Sequence, residues 1–168
     1  MTISIIIPVY SEAENIGRLI SYLVQYKNES VIEIMVVDAG STDDTLDIAR
    51  REGAITVISP QTGRAAQMNY GGSLSSGDIL YFIHADTFPP SSYANDITDA
   101  VKKGFDLGRY RTQFNSRKWY FHVIFKSAMA HPSKRKLSVM VGKVPCWCSI
   151  TITPVGMSRC VSCMDSDV

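Results

Sequence analysis

Between residues 3 and 103 the chain alternates apolar, β-branched runs with segments of helical periodicity, and that alternation leaves few folds open. Ile3-Ser4-Ile5-Ile6-Ile7-Pro8-Val9-Tyr10 is apolar at nearly every position rather than every second one. Such a run reads as a strand covered on both faces, as in a parallel sheet. Ser11, with Glu14 three residues on, predicts a capping box. In the helix that follows, Ile16, Leu19, Ile20 and Leu23 recur at helical spacing. Residues 32–37 predict a second buried strand, ended by Asp38-Ala39-Gly40. Residues 41–51 predict a second helix with Asp43 and Asp44 in its first turn, where carboxylates suit the positive end of the helix dipole. A third strand (54–59), third helix (64–75), fourth strand (78–84) and fourth helix (91–103) follow. This order predicts an α/β fold with a mostly parallel sheet flanked by helices on both faces.

Right-handed crossovers place the C-terminal ends of all the strands on one edge, where ligands of such sheets bind. Three carboxylates arrive there: Glu12, Asp38 and Asp86. Asp38 suits two roles: accepting hydrogen bonds from a nucleobase or ribose, or closing a turn before the next helix. Asp86, in His84-Ala85-Asp86-Thr87, could hold a divalent cation against a diphosphate, or cap a turn. His84 reads either as an outer ligand or as a residue packed at a strand end. Arg64 follows Gly63 and could pair with phosphate oxygens or stand solvated at a helix start. Neither the GxGxxG fingerprint nor the GxxxxGK[ST] loop is present.

Composition narrows the function class. The 168 residues are enough for one ordinary domain, and 45% hydrophobic with 20% charged residues excludes a disordered chain, a collagen-like fibre or a coiled coil. Seventeen Lys plus Arg against sixteen Asp plus Glu give a net charge of +1, so nothing points to a nucleic-acid partner. The apolar runs are too short to span a bilayer, and no basic stretch precedes the first of them. A cytoplasmic location is the expectation.

In order and spacing the motifs resemble family 2 inverting glycosyltransferases, which have the GT-A (Rossmann-like) fold. Ile5-Ile6-Ile7-Pro8-Val9-Tyr10-Ser11-Glu12 resembles their opening strand. Val36-Val37-Asp38-Ala39-Gly40-Ser41-Thr42-Asp43-Asp44-Thr45 is similar to a second-strand motif that reads VDDGSTDDT in many members. Gly63-Arg64-Ala65-Ala66-Gln67-Met68-Asn69, followed by the strand ending in His84-Ala85-Asp86-Thr87, resembles a bacterial branch in which HADT replaces the usual DxD. The resemblance implies that Pro8, Tyr10, Glu12 and Asp38 line the base and ribose pocket and that Arg64 approaches the donor. It implies that Asp86 binds Mg²⁺ or Mn²⁺, with His84 at the first position of the triplet. The implied reaction moves a sugar from a nucleoside diphosphate donor to an acceptor hydroxyl, with a catalytic Asp in a later motif as base. Two rivals stand beside it: a non-catalytic sugar-nucleotide-binding domain, and a nucleotidyltransferase on a similar sheet. Donor sugar, acceptor and oligomeric state are not readable.

The resemblance covers roughly residues 3–130, and residues 1–130 are read as a nucleotide-sugar-binding region. Its last part, residues 115–130, carries Trp119, Tyr120, Phe121 and Phe125 with Arg117, Lys118 and Lys126. This reads as an amphipathic helix packed on the sheet, or as a peripheral contact with the inner face of a membrane. Residues 131–168 lack the family's later motifs and hold all four cysteines: Cys146, Cys148, Cys160 and Cys163. A zinc site, a disulfide pair and a shifted reading frame are the three readings of this tail. Read one base earlier, the codons around Met140 and Val141 force a glycine, and those around Cys146 to Cys148 force Leu-Val, which suits the missing family segment. The frame-shift reading expects the coding DNA to carry Gly-Gly-Phe and Glu-Asp in the alternative frame, the slip lying between residues 127 and 139. Sequencing that shows an early stop there, or neither motif, overturns it.

Overall fold

The computed structural model describes residues 1–108 and Tyr110. Arg109 and residues 111–168, with the aromatic helix expected at 115–130 and the cysteine tail at 131–168, lie outside the described residues.

Four strands and four helices alternate: β1 (Ile3–Val9), α1 (Ala13–Tyr26), β2 (Val31–Asp38), α2 (Thr45–Arg51), β3 (Ile55–Ile58), α3 (Arg64–Leu74), β4 (Ile79–Phe82) and α4 (Tyr93–Lys102). The strands form one parallel sheet in the order β3-β2-β1-β4. The order reverses between β1 and β4, which makes that gap the topological switch point. Every residue of β1 is buried, as its continuous apolar run requires.

Side chains alternate between two apolar layers. Ile3, Ile5, Ile7 and Val9 join Ile16, Leu19, Ile20 and Leu23 of α1, Ala49 of α2, and Tyr93, Ala94 and Ile97 of α4. Ile6, Met35, Val37, Leu80 and Phe82 face the other way, toward Met68 and Tyr70 of α3. Helices therefore cover both faces, as expected. α3 lies close to the sheet because Gly71 faces it: a Cβ there would come within 2.7 Å of Ile6 Cγ2 and Val37 Cγ2.

Pro8 is tolerated in a central strand for a topological reason. The β1–β4 ladder stops at Ile6 and Phe82, so beyond that rung β1 has no partner on the β4 side. The missing N–H falls on that side and removes no rung.

Two expected helix starts are corrected. Ser11 does not cap α1; its φ is +54°, and Glu12 occupies the N-cap without a side-chain cap bond. The first donors are satisfied from the next crossover instead. Glu12 N–H donates to Thr45 Oγ1 (2.9 Å), and Ala13 N–H donates to Asp43 Oδ2 (3.3 Å). Helix α2 starts at Thr45, so Asp43 and Asp44 precede it, and Asp47 is the acid of its first turn. Asp43 is held out of the helix because its carboxylate accepts from the backbone N–H and the hydroxyl of Thr45.

At the opposite edge of the sheet, Glu33 accepts from the Ser4 hydroxyl and from Ser76 N–H (2.7 Å), while Gly77 N–H donates to Ser4 Oγ (2.8 Å). Burial pushes the Glu33 carboxyl up, but these hydrogen bonds outweigh it and hold the group below its ordinary value.

Gly71→Ala is expected to destabilise the protein by about 1–2 kcal/mol in urea unfolding. Overpacking against Ile6 and Val37 outweighs a gain in helix propensity of roughly 1 kcal/mol. Unchanged or raised stability would show that α3 does not lie this close to the sheet.

Candidate functional site

Three loops meet at the C-terminal edge of β1 and β2 around a cleft of about 650 Å³. Pro8, Val9, Tyr10 and Glu12 line it from the β1–α1 connection, Ala39 and Gly40 from the β2–α2 connection, and Thr62, Gly63, Arg64 and Gln67 from the start of α3.

The first two connections are locked to each other. Ala39 N–H donates to Val9 O (3.1 Å) and Ser11 N–H to Ser41 Oγ (2.8 Å), alongside the Thr45 and Asp43 bonds at the start of α1. The Thr45 hydroxyl is the main cause holding the Asp43 carboxyl below its ordinary value, with burial opposing and backbone N–H groups adding to it. The third connection joins through Gln67. Its buried side-chain amide donates to Val9 O and Val37 O, both at 2.7 Å. An amide NH₂ has two donors, and here each finds a carbonyl, so the group is buried without an unmet bond.

Each residue singled out in the sequence can now be placed. Pro8 is buried at the cleft floor, and Tyr10 is 64% exposed at its mouth. Glu12 is half-buried in the wall and accepts from Asn15 Nδ2 (3.0 Å). Arg64 is exposed on the α3 side. Asp38 is 1% exposed and lies beneath the loop. Its carboxylate accepts from Gly40 N–H and Ser41 N–H, both at 2.8 Å, and from the Ser41 hydroxyl. Those bonds fix the turn that carries Ala39 and Gly40, where Gly40 takes a φ of +99°. The turn-closing role weighed for Asp38 in the sequence is thus the one its contacts display.

His84 and Asp86 stand past the end of β4. Burial pushes the half-buried His84 imidazole below its ordinary value and the Arg64 charge adds to that, while Asp86 and Glu12 pull the other way. Four charged or titratable side chains from three connections therefore act on one another. Asp86 is exposed, and Thr87 Oγ1 donates to its Oδ1 (3.1 Å). Among the described residues no group of three or more His, Cys, Asp or Glu is gathered to hold a metal. One carboxylate beside an imidazole that is neutral at pH 7 offers part of a coordination shell. That donor set fits a hard cation whose remaining ligands are phosphate oxygens and water.

The sequence motifs contained Gln67, Ser41 and Thr45 but did not mark them as functional. For Gln67 a signal was present: it lies four residues before Gly71, so helical spacing puts a polar side chain on the face of α3 that packs on the sheet.

The sequence model of Glycosyl transferase family 2 matches residues 4–151, most of the chain. The chain belongs to that family. The match extends past residue 130, where the motif resemblance ends. The chain is 40% identical over 94 residues to glycosyltransferase AglE of Haloferax volcanii, covering 52% of this chain and 31% of AglE. It is 29% identical over 154 residues to the dolichol-phosphate mannosyltransferase of Pyrococcus furiosus, covering 86% of this chain and 41% of that protein. The structure of glucosyl-3-phosphoglycerate synthase from Mycobacterium tuberculosis with Mn²⁺, UDP and glucosyl-3-phosphoglycerate superposes with a TM-score of 0.64 at 21% identity. That alignment covers 84% of this chain and 56% of the synthase. At that identity the likeness establishes the GT-A fold. The chain spans about a third of AglE and just over half of the synthase. Among the described residues, no helix is long and apolar enough to cross a membrane.

The charge environment of His84 can be checked by NMR titration of its ring. Arg64→Met is expected to raise its pKa and Asp86→Asn to lower it further. A histidine depressed on folding lowers stability as pH falls below its unfolded value of about 6.5, because the unfolded chain then binds the proton more readily. Identical titrations in both variants and the parent would separate these groups.

Proposed function

We propose that this chain is the donor-binding part of an inverting family 2 glycosyltransferase, which moves a sugar from a nucleoside diphosphate to an acceptor hydroxyl with Mg²⁺ or Mn²⁺. The observation that carries this reading is the cleft at the C-terminal edge of β1 and β2, with Glu12 and Arg64 in its wall and His84 and Asp86 of the β4 end beside it. In this reading Pro8 and Tyr10 give the base an apolar floor and a flat face. The Glu12 carboxylate accepts from a ribose hydroxyl. Asp38 acts through the turn it holds. Arg64 pairs with diphosphate oxygens, as guanidinium does well. Asp86, with His84 beside it, holds the cation, which when bound would offset the charge of the departing diphosphate. Support comes from the mycobacterial synthase, whose structures contain UDP, UDP-glucose and Mn²⁺. Inverting transfer also needs a base on the acceptor side. None of the residues above is assigned that role.

A thermal-shift panel of nucleoside diphosphates, each with and without Mn²⁺, tests the reading. One diphosphate at a hundred times its dissociation constant is expected to stabilise the chain by about 2.7 kcal/mol, a rise in melting temperature of about 5–10 °C. The effect should need the metal and disappear in Asp86→Ala. No response to any diphosphate overturns the proposal. Pyrophosphate release from a nucleoside triphosphate would instead identify a nucleotidyltransferase. Binding without transfer to any acceptor would identify a non-catalytic domain.

A further inference from the structure

The segment carrying His84 and Asp86 is tied down at both ends. At its start, Ile83 N–H donates to Ile6 O (3.1 Å), continuing the sheet. A turn follows, closed by Thr87 N–H donating to His84 O (3.1 Å). At its far end the segment rests on α1. The Tyr22 hydroxyl donates to Pro89 O (2.8 Å), and the Tyr22 ring meets the Phe88 ring edge-on with centroids 5.4 Å apart. The Arg18 guanidinium carbon lies 6.0 Å from the centroid of the same ring. Tyr26 extends the stripe, its ring 4.7 Å from that of Tyr22. Arg18, Tyr22 and Tyr26 are spaced four apart, so they form one row along α1. The row is separate from the buried row of Ile16, Leu19, Ile20 and Leu23 that fixes α1 to the sheet. Core packing therefore leaves this second row unexplained. Phe88 is 47% exposed, so it is held by Arg18 and Tyr22 rather than by the core.

We propose that Arg18 and Tyr22 of α1 clamp Phe88 and Pro89 and thereby set the position of the Asp86 carboxylate, which makes Tyr22 a positioning residue for cation-dependent diphosphate binding. This rests on the donor-binding reading above. The same helix follows directly from Glu12 in the cleft wall, so one rigid element carries a cleft residue at its start and the anchor of the Asp86 segment in its third turn. A hydrogen bond, an edge-on aromatic pair and a cation–π contact are each modest. Together they act on the far end of a segment whose near end is held by the Ile83 bond and by burial of Ile83 and Ala85 in the core.

Two measurements on the full chain test the proposal. The first needs no ligand: hydrogen exchange at the Thr87 amide is expected to quicken about tenfold in Tyr22→Ala and a few-fold in Tyr22→Phe, which loses only the bond to Pro89. The second titrates Mn²⁺ at fixed UDP. The half-saturating Mn²⁺ concentration is expected to rise about tenfold in Tyr22→Ala, with Tyr22→Phe restoring most of the parent value. Val24→Ala on the exposed side of α1 serves as the control for general loss of helix stability. If Tyr22→Ala lowers the melting temperature but leaves both the exchange rate and the Mn²⁺ midpoint at parent values, the proposal is overturned. If the parent shows no metal-dependent binding of UDP or of any other nucleoside diphosphate and the exchange rate still responds, the clamp stands as a structural feature and its link to diphosphate binding is overturned with the donor-binding reading.

Discussion

The cleft depends on one buried amide. Gln67 bonds carbonyls at the C-terminal ends of two neighbouring strands, Val9 of β1 and Val37 of β2, and in doing so fixes where α3 begins relative to them. Shifting α3 along its axis would break both bonds and drive the face at Gly71 into Ile6 and Val37. The position of Arg64 and the width of the cleft follow from that constraint, because Arg64 opens the helix three residues before Gln67. The apolar layers supply most of the cohesion, but they are tolerant of small slides. The amide is not, since a buried donor without an acceptor costs about 1–3 kcal/mol.

The sheet was legible in the sequence because its signal is redundant. Seven buried positions in succession leave β1 no solvent face, and Pro8 falls where the missing N–H would have no partner. Helix boundaries were less legible, for a specific reason. Ser11 and Glu14 have the spacing of a local cap, but local spacing cannot reveal that Asp43 and Thr45 arrive from thirty or so residues away to meet the same donors. A tertiary partner displaced the local one. For Asp38 the sequence offered the turn-closing role as one of two readings, and the folded turn shows the bonds from Gly40 and Ser41 that fill it.

Membership of family 2 and the GT-A fold fit this division between what is local and what is not. The donor-side motifs lie close together in the chain because each is a strand end plus the turn after it, so a single sequence displays them as short strings. A residue that acts by placing another leaves no such string. Tyr22 and Arg18 are ordinary helix-surface residues by spacing, and only their contacts with Phe88 and Pro89 distinguish them.

The borrowed cap on α1 also bears on the order in which the fold can assemble. A helix whose first donors are met from within gains its caps early; the Glu12 and Ala13 donors of α1 gain theirs only when β2 has paired with β1 and delivered the 38–45 turn beside it. The pairing closes a loop of about thirty residues before the helix gains its full complement of bonds, which is entropically costly and slow compared with local closure. The binding edge and the first βα unit therefore become ordered together. A nascent chain that ends before residue 43 holds the strand and the helix sequence but neither of the acceptors that meet the Glu12 and Ala13 donors in the folded protein.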